Sequence, residues 1–303
     1  MKSKVLKICR PFSEQYTMYI DTDLYGVNVK MESKTKLRWD FTVISISEEE
    51  IEVRLLLLDH ILLYTDNPIV KETATMTQVF SRMYNELHLI IDQSGTIRKI
   101  LNLHVVRDKW KDVKKEMLAI AERTPDIKNA IQLHDSIFND ESRLIQGIQY
   151  GEFFMIYFNK FFNKNLPKAE VLTGTNWFNT ANVTWRYTYE ITRDYSNSDK
   201  NIILEMKGFP SGVLGAGFYQ RAYFQFSQMK DIGKLTTELN ESAKYEIEEE
   251  TGRLIQARIY RNEIADSDLY MKLTYTLMCE QILKDKLQKE QELDAHQTEL
   301  TIE

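Results

Sequence analysis

Histidines, cysteines, glycine clusters and aromatic runs are the residues here whose spacing bears on chemistry. The five histidines are His60, His88, His104, His134 and His296. None forms H-x-x-x-H or H-E-x-x-H, the spacings that set two imidazoles on one helix face around a metal. Asp59-His60 ends an apolar alternation, His104 faces Asp108 one helical turn on, and His134 falls on an apolar helical stripe, where a satisfied core histidine is expected. Cys9 and Cys279 lie near opposite ends with no second thiol nearby. That excludes a disulfide framework and C-x-x-C metal or redox motifs, and both are expected as reduced, buried thiols. Neither has a sequence-local base, and no G-x-S-x-G elbow is present, so nucleophilic catalysis has no visible carrier. No catalytic, cofactor-binding or metal-binding residue is assigned, and no cofactor is expected.

Two segments stand out. In Phe153-Phe154-Met155-Ile156-Tyr157-Phe158-Asn159-Lys160-Phe161-Phe162, rings recur at 153, 157 and 161 and again at 154, 158 and 162. Helical spacing gathers them into one broad face. Each ring buries about 150–250 Å², so six left in water would be costly. The face either fills the concavity of a curved sheet, lines a cavity for an apolar ligand, or meets a partner. The second segment, Gly208 to Phe218, holds four of the chain's 11 glycines. It lacks the Lys-Ser/Thr of a P-loop and the spacing of a dinucleotide fingerprint. It does carry apolar Phe209, Val213, Leu214 and Phe218 on permissive backbone, as an inter-strand connection, a lid or a partner contact. The ten residues Phe153, Phe154, Tyr157, Phe158, Phe161, Phe162, Phe209, Val213, Leu214 and Phe218 are the candidate apolar ligand or partner contacts.

The elements that must position them follow from periodicity. Val27, Val29 and Met31 alternate with polar neighbours, as do Leu37, Trp39, Phe41 and Val43, then Ile51, Val53, Leu55 and Leu57, which predicts an antiparallel meander. Leu55 to Leu58 is apolar on both faces, as in a central strand. A short helix is expected within 73–85, and a hairpin follows through Ser94-Gly95. At Asn102, an expected N-cap, the period changes. Leu103, Val106, Trp110, Val113, Met117 and Ile120 stripe one helix. Thr124-Pro125 opens a second, with Ile127, Ala130, Ile131, His134 and Phe138. A third runs from Asn139-Asp140 towards Phe162. Strands return over 185–192, 202–206, 219–226, 235–239, 245–247, 254–260 and 269–278. The organisation read from this is a first β section (1–101), a helical insert (102–166), a second β section sharing the same core (167–280) and a charged helical tail (281–303). The class is α+β: a strongly curved antiparallel sheet or half-barrel of about eleven strands with an inserted three-helix block.

This order resembles the bacterial lipoprotein-carrier half-barrels, over the layout of residues 16–280 and through the strand count and aromatic helix rather than a motif. The resemblance implies a curved sheet wrapped around inserted helices and an apolar cavity for acyl chains; it transfers no residue.

Composition narrows function further. The 303 residues carry a net charge of −6, and a phosphate-backbone binder needs a basic surface, so nucleic acid is not an expected partner. Tyr16, Tyr19, Tyr25, Tyr187, Tyr189 and Tyr195 lack the positive charge of a base-stacking platform. No run reaches the roughly 18 apolar residues of a spanning helix. The start Met1 to Arg10 has no signal-like apolar run, which places the chain in the cytoplasm as it stands, or in the periplasm or outside if Met1 replaces a removed leader. The leading expectation is a non-enzymatic binding or assembly protein acting through a protein partner or a second copy of itself. The alternative is a carrier of a lipid or other apolar molecule, and an enzyme with an unrecognised site is a third.

Overall fold

A computed structural model of the chain describes residues 3–121, 125–193 and 201–288. The alternation of the first hundred residues becomes β2 (Phe12–Gly26), β3 (Val29–Ile46) and β4 (Glu50–Thr65), preceded by the short β1 (Lys4–Val5). Then come α1 (Pro68–Ser81), β5 (Glu86–Asp92) and β6 (Ile97–Ile100). The helical block is α2 (Leu103–Ala121), α3 (Pro125–Phe138), α4 (Glu141–Gln149) and α5 (Glu152–Tyr157). The second half comprises β7 (Asn165–Leu166), β8 (Lys168–Thr175), β9 (Asn182–Arg193), β10 (Asn201–Pro210), α6 (Ala216–Tyr223), β11 (Glu238–Glu248), β12 (Leu254–Asp266) and β13 (Leu269–Cys279). Residues 280–288 continue as a helix, α7. No helix among the described residues is long and apolar enough to cross a membrane.

Eleven strands form one open, curved antiparallel sheet in the order β6-β5-β4-β3-β2-β13-β12-β11-β10-β9-β8. The chain enters at the middle, since β2 pairs with β13 from Tyr16↔Cys279 to Gly26↔Leu269. It meanders out to one edge at β6, and the helical block carries it to the opposite edge at β8. From there it meanders back to the middle. A connection between opposite edges has to cross one face of the sheet, which places the aromatic segment against the inner face. Residues 153, 154, 157, 158, 161 and 162 are all between 0% and 3% exposed. Phe153 packs 5.3 Å from Trp39 and 5.1 Å from Phe41, Tyr157 lies 5.4 Å from Tyr16, and Phe161 lies 4.6 Å from Tyr245. The two central phenols meet on one residue: Tyr16 Oη donates to the Leu254 carbonyl at 2.7 Å, and the Leu254 N–H donates to Tyr157 Oη at 3.2 Å. This meets the requirement that buried polar groups be paired.

Several elements differ from their sequence-based expectation. Residues 219–226, expected as a strand, are helical in α6 and the 3-10 turn that follows it. Phe218, Ala222 and Tyr223, spaced 4 and 1, are its buried face. Residues 235–237 are not in a strand; β11 is continuous from Glu238. The third helix breaks at Gly151, the cap of α5, and its final turn ends before Phe158. Asn102 does not cap α2 with its side chain, because that amide is engaged with β5: Oδ1 accepts from His88 N at 2.9 Å and Nδ2 donates to the Glu86 carbonyl at 3.0 Å. α1 starts five residues earlier than expected, at the pair Asn67-Pro68, where Asn67 accepts from Ile69 N at 2.9 Å. Cys279 is buried, whereas Cys9 is exposed. Thr124, Tyr195 and the tail beyond 288 lie outside the described residues.

Candidate apolar binding site

The site is built by a defect in strand pairing. Trp39 faces Leu57 and Arg38 faces Asp59, which leaves Leu58 as an extra residue in β4. Such a bulge shifts every following side chain to the other face. Leu58 turns outward and is exposed, and His60, which strict alternation would send to the outer face, pairs with buried Leu37 on the inner one. The apolar run Leu55–Leu58 therefore marks a bulge, not a strand covered on both faces.

Opposite this stretch lies α1, held to β4 by Gln78 Nε2, which donates to the His60 carbonyl at 2.9 Å. Phe80 of α1 stacks on His134 of α3 at 4.3 Å, and His134 Nδ1 is satisfied by the Ala130 carbonyl at 2.8 Å. α4 is fixed from the other side, because Gln149 Oε1 accepts from Ile97 N at 2.7 Å. Between these supports is a cavity of about 270 Å³. Leu37 and Trp39 of β3 and Leu55, Leu57 and His60 of β4 form its floor. Thr77, Phe80 and Ser81 of α1, with Tyr84 just beyond, form one wall; Gly147 and Ile148 of α4 and Glu152, Phe153 and Phe154 of α5 form the other. An apolar cavity of roughly 150 Å³ already takes benzene, and ligand sites begin near 300 Å³.

The polar groups at this cavity are few. His60 Nδ1 is buried and has no hydrogen-bond partner among the described residues, a state that costs about 1–3 kcal/mol when nothing pairs it. Burial lowers the His60 pKa from its ordinary value, and the Glu152 carboxylate opposes that shift. Burial also pushes the Tyr84 phenol up to about 12. Among the described residues no lysine or arginine lines the space. The His60 shift fixes a sign. A histidine whose folded pKa lies below its unfolded value of about 6.5 leaves the unfolded chain to bind the proton first, so stability falls as pH drops through that value. Wild-type protein should lose more of its urea midpoint between about pH 7.5 and about pH 5.5 than His60→Leu; equal losses would remove His60 from the acid response.

The ten sequence-selected residues do not form one site. Phe153 and Phe154 line the cavity, whereas Tyr157, Phe158, Phe161 and Phe162 are packed in the core behind it. Phe209 is the penultimate residue of β10 and is exposed, Val213 is fully exposed, and Leu214 packs partly against the core. Phe218 is buried in α6 against Tyr219 and Tyr223. Only residues 211–215 of the glycine-rich segment form a connection between elements. His60, Phe80, Tyr84 and Gly147 went unselected. The available signal was the Asn67-Pro68 helix start, which puts α1 within reach of β4.

A second cluster of ionisable groups lies on the inner face of β11 and β12. Glu241 accepts from Arg261 Nε at 2.8 Å and from Lys160 Nζ at 3.1 Å. The Arg261 guanidinium also stands 4.8 Å from the Trp177 ring and 5.2 Å from that of Tyr275. Next to it, fully buried Glu263 accepts from Asn176 Nδ2, Trp177 N, Phe178 N and Tyr223 Oη, at 2.6–3.1 Å. Both oxygens of each carboxylate accept hydrogen bonds, and none of these residues lines the cavity. Among the described residues no group of three or more His, Cys, Asp or Glu is placed to hold a metal.

No protein-family model matches the sequence, and no curated protein matches it. Among solved structures it is similar to one titled for lipid–protein interactions in lipovitellin, at 10% identity and a TM-score of 0.41. That match covers 91% of this chain and spans 25% of the lipovitellin chain.

Proposed function

We propose that this chain is a non-enzymatic binding protein that holds an apolar small molecule in the cavity between α1, α4, α5 and the inner face of β3 and β4. The observation that carries it is the buried, unpartnered His60 Nδ1 beside aromatic and aliphatic walls. Ligand sites are largely apolar, with a few polar groups to fix orientation. The aromatic face contributes through Phe153 and Phe154, while its other rings give the cavity a rigid back.

Gly147 provides the test. It lines the cavity from α4, and a Cβ built there meets nothing within 4 Å. Gly147→Phe adds bulk at the cavity wall from a position whose Cβ meets no neighbouring atom. Replacing glycine by phenylalanine within a helix also relieves a propensity cost of a few tenths of a kcal/mol. The expected outcome is unchanged or raised thermal stability, together with at least about a tenfold loss of affinity for a fluorescent apolar probe such as N-phenyl-1-naphthylamine. Unchanged probe affinity would place binding elsewhere.

A second reading, assembly through protein contacts, is supported by Val213, which is fully exposed in the 211–215 connection next to exposed Phe209. If this loop joins two copies, Val213→Asp shifts the native mass from oligomer to monomer and leaves probe binding intact. A wild-type monomer would end that reading for self-assembly.

A further inference from the structure

We infer that the molecule held in this cavity carries an uncharged, hydroxyl-bearing head, and that His60 and Glu152 select such a head over a carboxylate. This rests on the proposed binding function and concerns which chemistry fits the polar end of the site.

The groups that meet a head there are His60 on β4, Thr77 and Ser81 one helical turn apart on α1, Tyr84 beyond it, and Glu152 at the start of α5. All but Glu152 are neutral at neutral pH: burial disfavours the charged imidazole and raises the phenol. Glu152 is exposed and acts on His60 electrostatically from the end of α5. An anionic head would therefore meet a carboxylate without a cation to offset it, because among the described residues no lysine or arginine lines the cavity. Removing an anion from water without a paired charge is unfavourable. An ammonium head would be attracted by Glu152, but to reach His60 it must leave solvent for apolar surroundings and meet an imidazole that accepts only in one tautomer. A hydroxyl donates and accepts, so it pairs with Nδ1 in either tautomer: it donates its one proton to a bare Nδ1, or accepts from a protonated Nδ1 and keeps that proton for a neighbouring oxygen. It satisfies the buried nitrogen without bringing in a charge.

The test uses the full chain after delipidation and three ligands with the same hydrocarbon: 1-dodecanol, dodecanoate and dodecylammonium. Each competes against N-phenyl-1-naphthylamine at neutral pH. The expected result is that the alcohol displaces the probe at a concentration at least about tenfold below that for dodecanoate, and below that for dodecylammonium. Glu152→Gln, a change at an exposed position, should narrow the alcohol–carboxylate gap by improving dodecanoate binding more than it changes alcohol binding. His60→Leu should weaken the alcohol by more than it weakens the probe, and its thermal melt checks that the fold is intact. Dodecanoate or dodecylammonium binding as tightly as the alcohol, or a gap that Glu152→Gln leaves intact, overturns the head-group assignment and leaves the cavity standing. If the probe itself does not bind, the function proposed above fails first.

Discussion

Gly252→Ala is expected to lower the unfolding free energy by roughly 3 to 5 kcal/mol, measured by urea denaturation, whereas Gly212→Ala should leave it unchanged or slightly raised. Gly252 turns β11 into β12 with φ at +75°, a conformation that costs a residue with a Cβ about 1–2 kcal/mol. Space is the larger problem. An alanine Cβ at 252 would lie under 3.0 Å from Lys7 O, Lys7 C and Ile8 Cα, all of them backbone atoms that no rotamer change can move. The segment it would displace is part of the core. Leu6 and Ile8 are 3% and 1% exposed, Cys9 N donates to the Thr251 carbonyl at 2.7 Å, and Asn163 N donates to the Leu6 carbonyl at 2.7 Å. Each of those side chains contributes about 1.5–3 kcal/mol through burial. Gly212 has nothing within 4 Å of a built Cβ and no left-handed φ, so alanine there acts mainly by restricting the unfolded chain, which is mildly stabilising. A wild-type urea midpoint in Gly252→Ala would mean that the N-terminal segment does not dock as described.

The same turn shows how much of this molecule its sequence discloses. Ser94-Gly95 and Thr251-Gly252 are readable as hairpin turns, and both glycines do take positive φ, at 83° and 75°. What each glycine makes room for is not readable: Phe158 under Gly95, and the backbone of Lys7 and Ile8 under Gly252. Such contacts join residues 63 and 244 positions apart, and no local pattern encodes that distance. The strands with strict alternation, such as Leu37 to Val43, were plain because period-two burial is a local property. Residues 219–226 read as a strand because aromatic, β-prone residues outweigh the helical spacing of 218, 222, 223 and 226. β8 carried no alternation strong enough to show itself, as expected of an edge strand with exposed Val171. The site was hidden for a related reason. His60 faces inward only because Leu58 is extra, and Leu58 is extra only in relation to the register of β3. A bulge belongs to a pair of strands, so one strand's sequence cannot reveal it.

The buried charges behind the aromatic core set up the other large effect. Glu241→Gln should destabilise the protein by roughly 3 to 5 kcal/mol, because it removes the partner of two cations in or near the interior. Arg261 is 8% exposed and stays charged at any accessible pH. Burial already lowers the Lys160 pKa even with Glu241 in place. Asp108→Asn is the contrast: its contact with Lys111, at 2.7 Å, is as short as that of Glu241 with Arg261, but both of its partners are in solvent, where such pairs contribute about 1 kcal/mol or less. The two pairs differ in burial, not in distance. Adding Arg261→Met to Glu241→Gln removes the unpaired guanidinium and should recover a substantial part of the loss, since buried pairs are often replaceable by apolar residues of similar volume. The network also sets an acid limb. Burial by itself raises the Glu241 carboxyl, and the Arg261 and Lys160 charges more than reverse this, holding it below the ordinary carboxylate range. A carboxylate with a depressed folded pKa stabilises the fold fully above its unfolded value of about 4.3. That stabilisation is lost as pH falls from there through the folded pKa, because the unfolded chain takes the proton first. The wild-type urea midpoint should therefore fall more steeply below about pH 4.5 than that of the Glu241→Gln, Arg261→Met pair. Parallel acid limbs would show that Glu241 is not ionised against its two cations in the folded state.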